Sequence, residues 1–159
     1  MDKQALIEKV RDTLKLELVE AERLARETAA AANHPEAKPE NDKDTRKIEL
    51  SYLAAGQAAR ARELETGLAL LIAMKVRAFD DEQPIQAGAL VELDVAGETQ
   101  RVLLIPAGGG LKLKTEVGEV SIVTPQSPLG RELLGKTVGD SFELVVAGRK
   151  REVEIVAAE

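Results

Sequence analysis

Three acidic residues, Glu40, Asp42 and Asp44, alternate with polar residues in one short stretch of the chain. Proteins commonly hold Mg²⁺ with one or two carboxylates, while water and substrate phosphates complete its octahedron. Carboxylates at the end of a rigid arm could carry such an ion into another protein's active site, where two-metal phosphoryl chemistry needs it. The alternative is structural, because Asn41 or Asp42 makes a good helix N-cap and acids in a first turn complement the helix dipole. The residues alone favour the capping interpretation.

Other chemistry-bearing residues are scarce. The sequence has one histidine, His34, and no cysteine, which excludes disulfides, thiolate catalysis and cysteine-based metal sites. No second histidine is present to share a metal with His34, and we see no nucleophile with a matching base. We therefore expect neither a complete active site nor a cofactor of its own.

Composition narrows the class of protein further. The 159 residues carry a net charge of −6, which argues against broad binding to duplex DNA and against docking on an anionic membrane. Charged side chains interrupt the apolar positions of the first fifteen residues, unlike a signal peptide, and no apolar run approaches the ~20 residues that span a bilayer. We expect a soluble, cytoplasmic protein.

Two long helices flank the acidic stretch. The spacing predicts one helix over about Lys3–Ala32 and a second over about Asp44–Lys75. The apolar positions at three- or four-residue steps are Leu6, Val10, Leu14, Leu18, Ala21 and Ala25, then Leu50, Leu53, Gln57, Ala61, Leu64, Leu68 and Leu71. Such narrow seams favour an antiparallel coiled-coil hairpin over residues 1–78, with its tip at about 33–43. Because that turn suits pairing within one chain, we expect a monomer.

The second half of the chain, residues 79–159, contains ten of the twelve glycines. Alternating apolar and polar residues predict five strands there, at about 89–95, 99–105, 118–123, 142–146 and 150–156. The predicted fold class is therefore α+β: a helical hairpin followed by a small antiparallel sheet with one short helix.

The short helix lies in the run SPLGRELLGKTVGD, residues 127–140. Ser127 is expected to cap it, Pro128 suits the first helical position, and Gly135 suits a left-handed helix end. Leu129 and Leu133 should face the core, whereas Gly130 and Arg131 should be exposed.

This run resembles the C-terminal signature of the Gre family, bacterial transcript-cleavage factors that act on RNA polymerase. The order of parts is also similar: a coiled coil, an acidic tip and a small domain of FKBP-like fold. The likeness in sequence is strongest over about residues 118–146. It implies that RNA polymerase is the partner, with docking around Ser127, Gly130 and Arg131.

The resemblance also implies a role for the tip. Gre factors insert the coiled coil into the secondary channel of polymerase, where tip acids help to hold the catalytic Mg²⁺ while polymerase cleaves backtracked RNA. Family tips read close to GDLSENAEY, whereas this chain reads KPENDKDTRKIELSY. In register, Glu40 falls near the first family acid, and Asp42 and Asp44 flank the position of the second. The resemblance thus implies that Glu40, Asp42 and Asp44 assist catalysis, with Asp42 and Asp44 as metal ligands shared with polymerase.

Further consequences of the resemblance concern RNA and activity. The family tends to carry a basic patch for the extruded RNA, for which Arg23 and Arg26 are candidates beside the alternative of a solvated helix face. The factor would be an accessory to polymerase rather than a free-standing enzyme, and it would contact nascent RNA only indirectly. The alternatives are a Gre-like regulator or inhibitor without cleavage activity and, less favoured, a chaperone or prolyl isomerase.

Overall fold

The computed structural model describes residues 1–37, 40 and 45–159 of the chain. Its elements, in order, are α1 (Lys3–Asn33), a 3-10 turn (Pro35–Ala37), α2 (Arg46–Ala73), β1 (Leu90–Val95), β2 (Glu98–Leu104), β3 (Lys112–Thr115), β4 (Gly118–Val123), α3 (Pro128–Leu133), β5 (Ser141–Val146) and β6 (Arg149–Ala158). The predicted fold class, a helical hairpin followed by a small sheet domain with one short helix, is confirmed. Among the described residues, no helix is long and apolar enough to cross a membrane.

The chain divides into two compact units. Arg11–Ala69 form one, here the hairpin unit, while Met1–Val10 and Leu70–Glu159 form the other, here the sheet unit. The predicted boundary after residue 78 thus falls inside the sheet unit. The start of α1 packs there: Leu6, Ile7 and Val10 are buried.

Within the hairpin unit, α1 and α2 run antiparallel. The Thr28 hydroxyl donates a 2.8 Å hydrogen bond to Gln57 Oε1, and Arg60 Nη2 lies 3.0 Å from Glu17 Oε2. The buried apolar residues of this unit are Leu14, Ala21, Ala32, Ala61, Leu64 and Leu68. The first part of α2 buries none, and Leu53, a predicted seam residue, is 53% exposed. The prediction that Leu53 lies in the seam is therefore wrong.

The sheet unit contains six strands in the order β3-β4-β2-β1-β6-β5. Four neighbouring pairs are antiparallel, but β2 and β4 are parallel, which corrects the prediction of a purely antiparallel sheet. The sequence pattern also missed β3, whose four residues include two lysines and show no apolar run.

One face of the sheet carries the main core. Alternation along β1 and β6 points Val91, Leu93, Val153 and Ile155 to this face, where Leu133 of α3 packs against them. Each of these five side chains is essentially inaccessible to water. Burial of apolar area is the main stabilising contribution in such a small domain, so this core fixes α3 against the sheet.

Candidate functional site

The end of the hairpin is the first candidate site. Helix α1 ends at Asn33, the 3-10 turn follows, and Arg46 Nη1 donates a 3.5 Å hydrogen bond to the Glu36 carbonyl. Helix α2 begins directly after Thr45, whose hydroxyl lies 2.7 Å from Glu49 Oε1. Thr45 directly precedes the helix, and its carbonyl accepts a 2.9 Å hydrogen bond from the Glu49 amide. Asn41 and Asp42, the expected caps, lie outside the described residues.

The structure describes one of the three predicted tip acids. Glu40 is described and exposed, whereas Asp42 and Asp44, the predicted metal ligands, lie outside the described residues. Within residues 1–37, 40 and 45–159, no group of three His, Cys, Asp or Glu side chains could hold a metal ion. The catalytic role of the three acids therefore remains a prediction.

Arg23 and Arg26, the two residues predicted to contact RNA, lie on α1 in different surroundings. Arg23 lies between two carboxylates of its own helix, with its nitrogens 2.6 Å from Glu20 Oε1 and 2.7 Å from Glu27 Oε1. The hydrogen bond to Glu20, followed by that to Glu27, raises the pKa of Arg23, and the same bond lowers the pKa of Glu20. Two acids thus offset the charge of Arg23, while Arg26 is exposed. The RNA-contact role of both arginines stays a prediction.

The loop before α3 is the second candidate site. Ser127 Oγ accepts a 3.0 Å hydrogen bond from the Gly130 amide and donates a 2.8 Å bond to the Thr124 carbonyl. Pro128 follows at the first helical position, as predicted. Ser127 is thus confirmed as the N-cap, and its hydroxyl ties α3 to the strand before it.

Gly130 does not lie on the surface, contrary to expectation, because it is buried against Thr124. A Cβ atom at this position would lie 1.9 Å from the Thr124 carbonyl oxygen, so any side chain would force the backbone apart. Arg131, by contrast, is exposed as expected. Leu133 is buried and Leu129 packs against the core, which confirms both predictions.

The rest of the run is fixed by backbone contacts. Gly135 adopts a φ of 80° after α3, and its amide donates a 2.9 Å hydrogen bond to the Ile85 carbonyl. The Thr137 amide donates a 2.8 Å bond to Asp140 Oδ2, closing the turn that leads into β5. Most of this run therefore determines the fold, and Arg131 is the predicted docking residue that presents a free polar side chain to solvent.

Several solved structures align with this chain, all at TM-scores below 0.5. GreA factor homolog 1 (Gfh1) of Thermus thermophilus is 24% identical, with 96% of this chain and 94% of that chain covered at a TM-score of 0.39. Gfh1 of Thermus aquaticus is 21% identical, with 92% of each chain covered at 0.38. The GreA/GreB factor of Nitrosomonas europaea is 21% identical, with 60% of this chain and 78% of that chain covered at 0.38. No curated protein matches the chain.

One family model matches the chain, and the match lies within the sheet unit. Residues 89–159 match the family described as "Transcription elongation factor, GreA/GreB, C-term". The match begins just before β1 and includes every strand and the whole run from Ser127 to Asp140. Residues 89–159 therefore form a domain of the GreA/GreB C-terminal family of transcription elongation factors.

Proposed function

We propose that this chain binds RNA polymerase and inserts its helical hairpin into the secondary channel. There the tip acids Glu40, Asp42 and Asp44 help to hold Mg²⁺ while polymerase cleaves backtracked RNA. The observation that carries the proposal is the family match of residues 89–159 on a chain that also has a long two-helix hairpin. The metal in this proposal is that of the polymerase active centre, and the chain acts as an accessory factor rather than as an enzyme.

The dimensions and chemistry of the hairpin support this function. Within the hairpin unit, α1 runs from residue 11 to residue 33, which at about 1.5 Å per residue gives an arm of roughly 35 Å. The segment between the helices is rich in acids, and carboxylates are the protein ligands that Mg²⁺ prefers. An arm of this kind could bring carboxylates to a buried active centre that a compact domain could not reach.

A second function is a polymerase-binding regulator that occupies the channel without stimulating cleavage. The tip sequence favours this alternative, because Lys43 separates Asp42 from Asp44 where family tips have an acid. A lysine between two carboxylates competes with a metal ion for them. Polymerase binding is common to both functions, and transcript cleavage separates them.

The test is transcript cleavage in a stalled, backtracked elongation complex with Mg²⁺. We expect the wild-type factor to shorten the RNA and the Asp42→Ala/Asp44→Ala variant to be roughly 10- to 100-fold slower, because two candidate metal ligands are lost. Glu36→Ala is the matched control, since Glu36 is an exposed acid of the same hairpin end but not a predicted ligand.

Binding to polymerase is measured in parallel with the same three proteins. Binding without cleavage by the wild-type factor would favour the regulator. Full cleavage by the double variant would remove the assigned role of Asp42 and Asp44. If the wild-type factor failed to bind polymerase at all, both functions would be wrong.

A further inference from the structure

One flank of the hairpin unit carries an open apolar groove. The groove lies between α1 and α2 and has a volume of about 460 Å³. Leu16, Ala21, Leu24 and Leu64 line it, and Arg60 lies at its rim. Leu16 and Leu24 are eight residues apart on α1, so they stand about two turns apart on one wall. Since Leu16 is 74% exposed, this wall presents apolar surface to water.

An exposed aromatic side chain lies on the same flank. Tyr52, Gly56 and Arg60 follow one another at four-residue steps of α2, so they form one stripe on its surface. Because Arg60 borders the groove, this stripe leads from the groove to Tyr52, roughly 12 Å away along the helix. The Tyr52 side chain is 77% exposed. We call this surface the groove flank; it consists of Leu16, Leu24, Tyr52, Gly56 and Leu64.

Between the groove and Tyr52, α2 contains a glycine that its own fold does not require. Gly56 is exposed within the helix, where glycine is less favourable than alanine. Among the described residues, no atom beyond its own turn of helix lies within 4 Å of the position that a Cβ would occupy. Packing within this chain therefore does not explain Gly56. The absence of a side chain lets a second backbone approach closely.

We propose that two copies of this chain pair through the groove flank with their hairpins antiparallel, so that Tyr52 of each copy enters the groove of the other and Gly56 lies at the crossing. Such a pairing has two-fold symmetry, in which one surface is complementary to itself. Since Gly56 lies between Tyr52 and the groove along α2, an axis near Gly56 brings both tyrosines to both grooves at once. The proposed dimer differs from the monomer expected from the sequence and does not depend on the proposed function.

The charges at the groove favour a second copy over a nucleic acid. Arg60 lies 3.0 Å from Glu17, and Arg23 lies 2.6 Å from Glu20. These pairs leave no excess of positive charge, which a nucleic acid would need. Because each cation is already matched by an acid, two copies would also meet without strong repulsion. A foreign helix could fill the groove, but it would leave Tyr52 exposed unless it carried a groove of its own.

The size of the groove flank sets the expected strength of pairing. From Tyr52 to Leu64 it is about 18 Å long, and two helices side by side are about 20 Å wide. Covering it on both copies would bury roughly 800–1,000 Å² in total, which is below the usual size of a stable interface. We therefore expect a weak dimer, with a Kd of roughly 10–100 µM, rather than an obligate one.

Sedimentation equilibrium over a range of protein concentrations measures this Kd. Tyr52→Ala removes the side chain that enters the groove, and Leu16→Ala removes one wall. Each should raise the Kd about tenfold or more, since buried aromatic and apolar anchors dominate small interfaces. Val19→Ala is the matched control, because Val19 is 62% exposed on α1 but does not line the groove. Its Kd should stay within twofold of the wild-type value.

Gly56→Ala separates pairing from helix stability because its two expected effects have opposite signs. Alanine is the better helix former and has room at this position, so the thermal midpoint of dilute protein should rise by about 2–4 °C. At the crossing, the two added methyl groups would hold the helices apart, so the Kd should rise about tenfold. A higher midpoint with an unchanged Kd would overturn the placement of Gly56 at the crossing.

Disulfide formation tests the antiparallel arrangement, because the chain has no cysteine of its own. A mixture of Leu16→Cys and Tyr52→Cys proteins should form a mixed disulfide dimer under mild oxidation. One unchanged contact between Tyr52 and a groove remains in this mixed dimer. Val19→Cys mixed with Tyr52→Cys is the control and should yield about tenfold less. If Tyr52→Cys instead cross-linked mainly to itself, the antiparallel arrangement would be wrong.

Two further outcomes would contradict the proposal. A wild-type protein that stays monomeric up to about 500 µM would overturn it, whether or not the protein binds polymerase. A monomer in which Tyr52→Ala weakens polymerase binding would show that polymerase, rather than a second copy, covers the groove flank. A concentration-dependent dimer that Tyr52→Ala dissociates and Val19→Ala leaves intact would support it.

Discussion

The hairpin unit and the sheet unit bury their apolar residues in different ways. In the sheet unit, a contiguous set of side chains from four strands and α3 is almost wholly withdrawn from water. In the hairpin unit, the buried residues form a narrow seam, and large apolar side chains such as Leu16 and Tyr52 are 74% and 77% exposed. The sheet unit is therefore held by its own core, whereas the hairpin depends on a few residues along one seam.

This difference bears on what each unit can do. A domain with a dense core holds its loops and edges in fixed positions, which suits a docking surface. A two-helix arm with a thin seam can open locally at low cost, especially near Arg46, where α2 buries no residue. The three predictions below test the contrast, starting with the largest expected effect.

Truncation in the sheet core should have the largest effect. Leu104 of β2 is fully buried in the core cluster, so Leu104→Ala removes its packing and leaves a cavity. We expect a loss of about 3–5 kcal/mol in the free energy of unfolding. Urea denaturation followed by circular dichroism measures it. A loss below about 1 kcal/mol would contradict the dense core that distinguishes this unit.

Sequence reasoning recovered most of this unit because the strand signals are local. Alternation predicted five of the six strands, and the Ala96–Gly97 and Ala147–Gly148 turns, with positive φ at all four residues, fit their short hairpins. It missed β3, since a strand of alternating lysines at an edge has no apolar signature. It also missed the parallel pairing of β2 with β4, because partner choice depends on contacts distant in sequence.

Truncation in the hairpin seam should have a smaller and more local effect. Leu64 is 4% exposed, but it lines an open groove with Leu16, Ala21 and Leu24. Because water and neighbouring side chains can refill this site, Leu64→Ala should cost about 2 kcal/mol, the lower end for such changes.

Native-state hydrogen exchange shows which of the two units loses stability in Leu64→Ala. Amides of Arg11–Ala69 should exchange faster in Leu64→Ala, whereas amides of the strands should keep their wild-type rates. Equal acceleration in both units would mean that they unfold together, and the proposed contrast would be lost. Leu104→Ala serves as the reciprocal control.

The candidate sites were less predictable than the fold. Ser127 and Pro128 could be assigned because capping uses residue types within three positions of each other. The burial of Gly130 was not predicted, because the obstructing atom is the Thr124 carbonyl oxygen and its position depends on how the loop between β4 and α3 folds. The ion pairs of Arg23, by contrast, have a local signal that the sequence analysis did not use, because Glu20 and Glu27 lie three and four positions from Arg23 on the same helix.

Ion pairs give the smallest and most direct comparison of the two units. In the hairpin unit, Arg60 and Glu17 are 3.0 Å apart, with side chains 56% and 39% exposed. In the sheet unit, Arg101 and Glu92 are 2.9 Å apart, with side chains 29% and 33% exposed. Solvent screens the first pair more strongly, so its coupling energy should be below about 0.5 kcal/mol, against up to about 1 kcal/mol for the second.

Double-mutant cycles with Arg→Gln and Glu→Gln changes measure both couplings. Arg60 also has a second acid, Glu63, at 3.7 Å, so loss of Glu17 leaves it another partner. Arg101 instead donates a 2.7 Å hydrogen bond to the Val117 carbonyl, which fixes its side chain toward Glu92. An equal or larger coupling energy for Arg60 and Glu17 would contradict this contrast. It would mean that side chains on the hairpin surface are held as rigidly as those on the sheet, although they are more exposed.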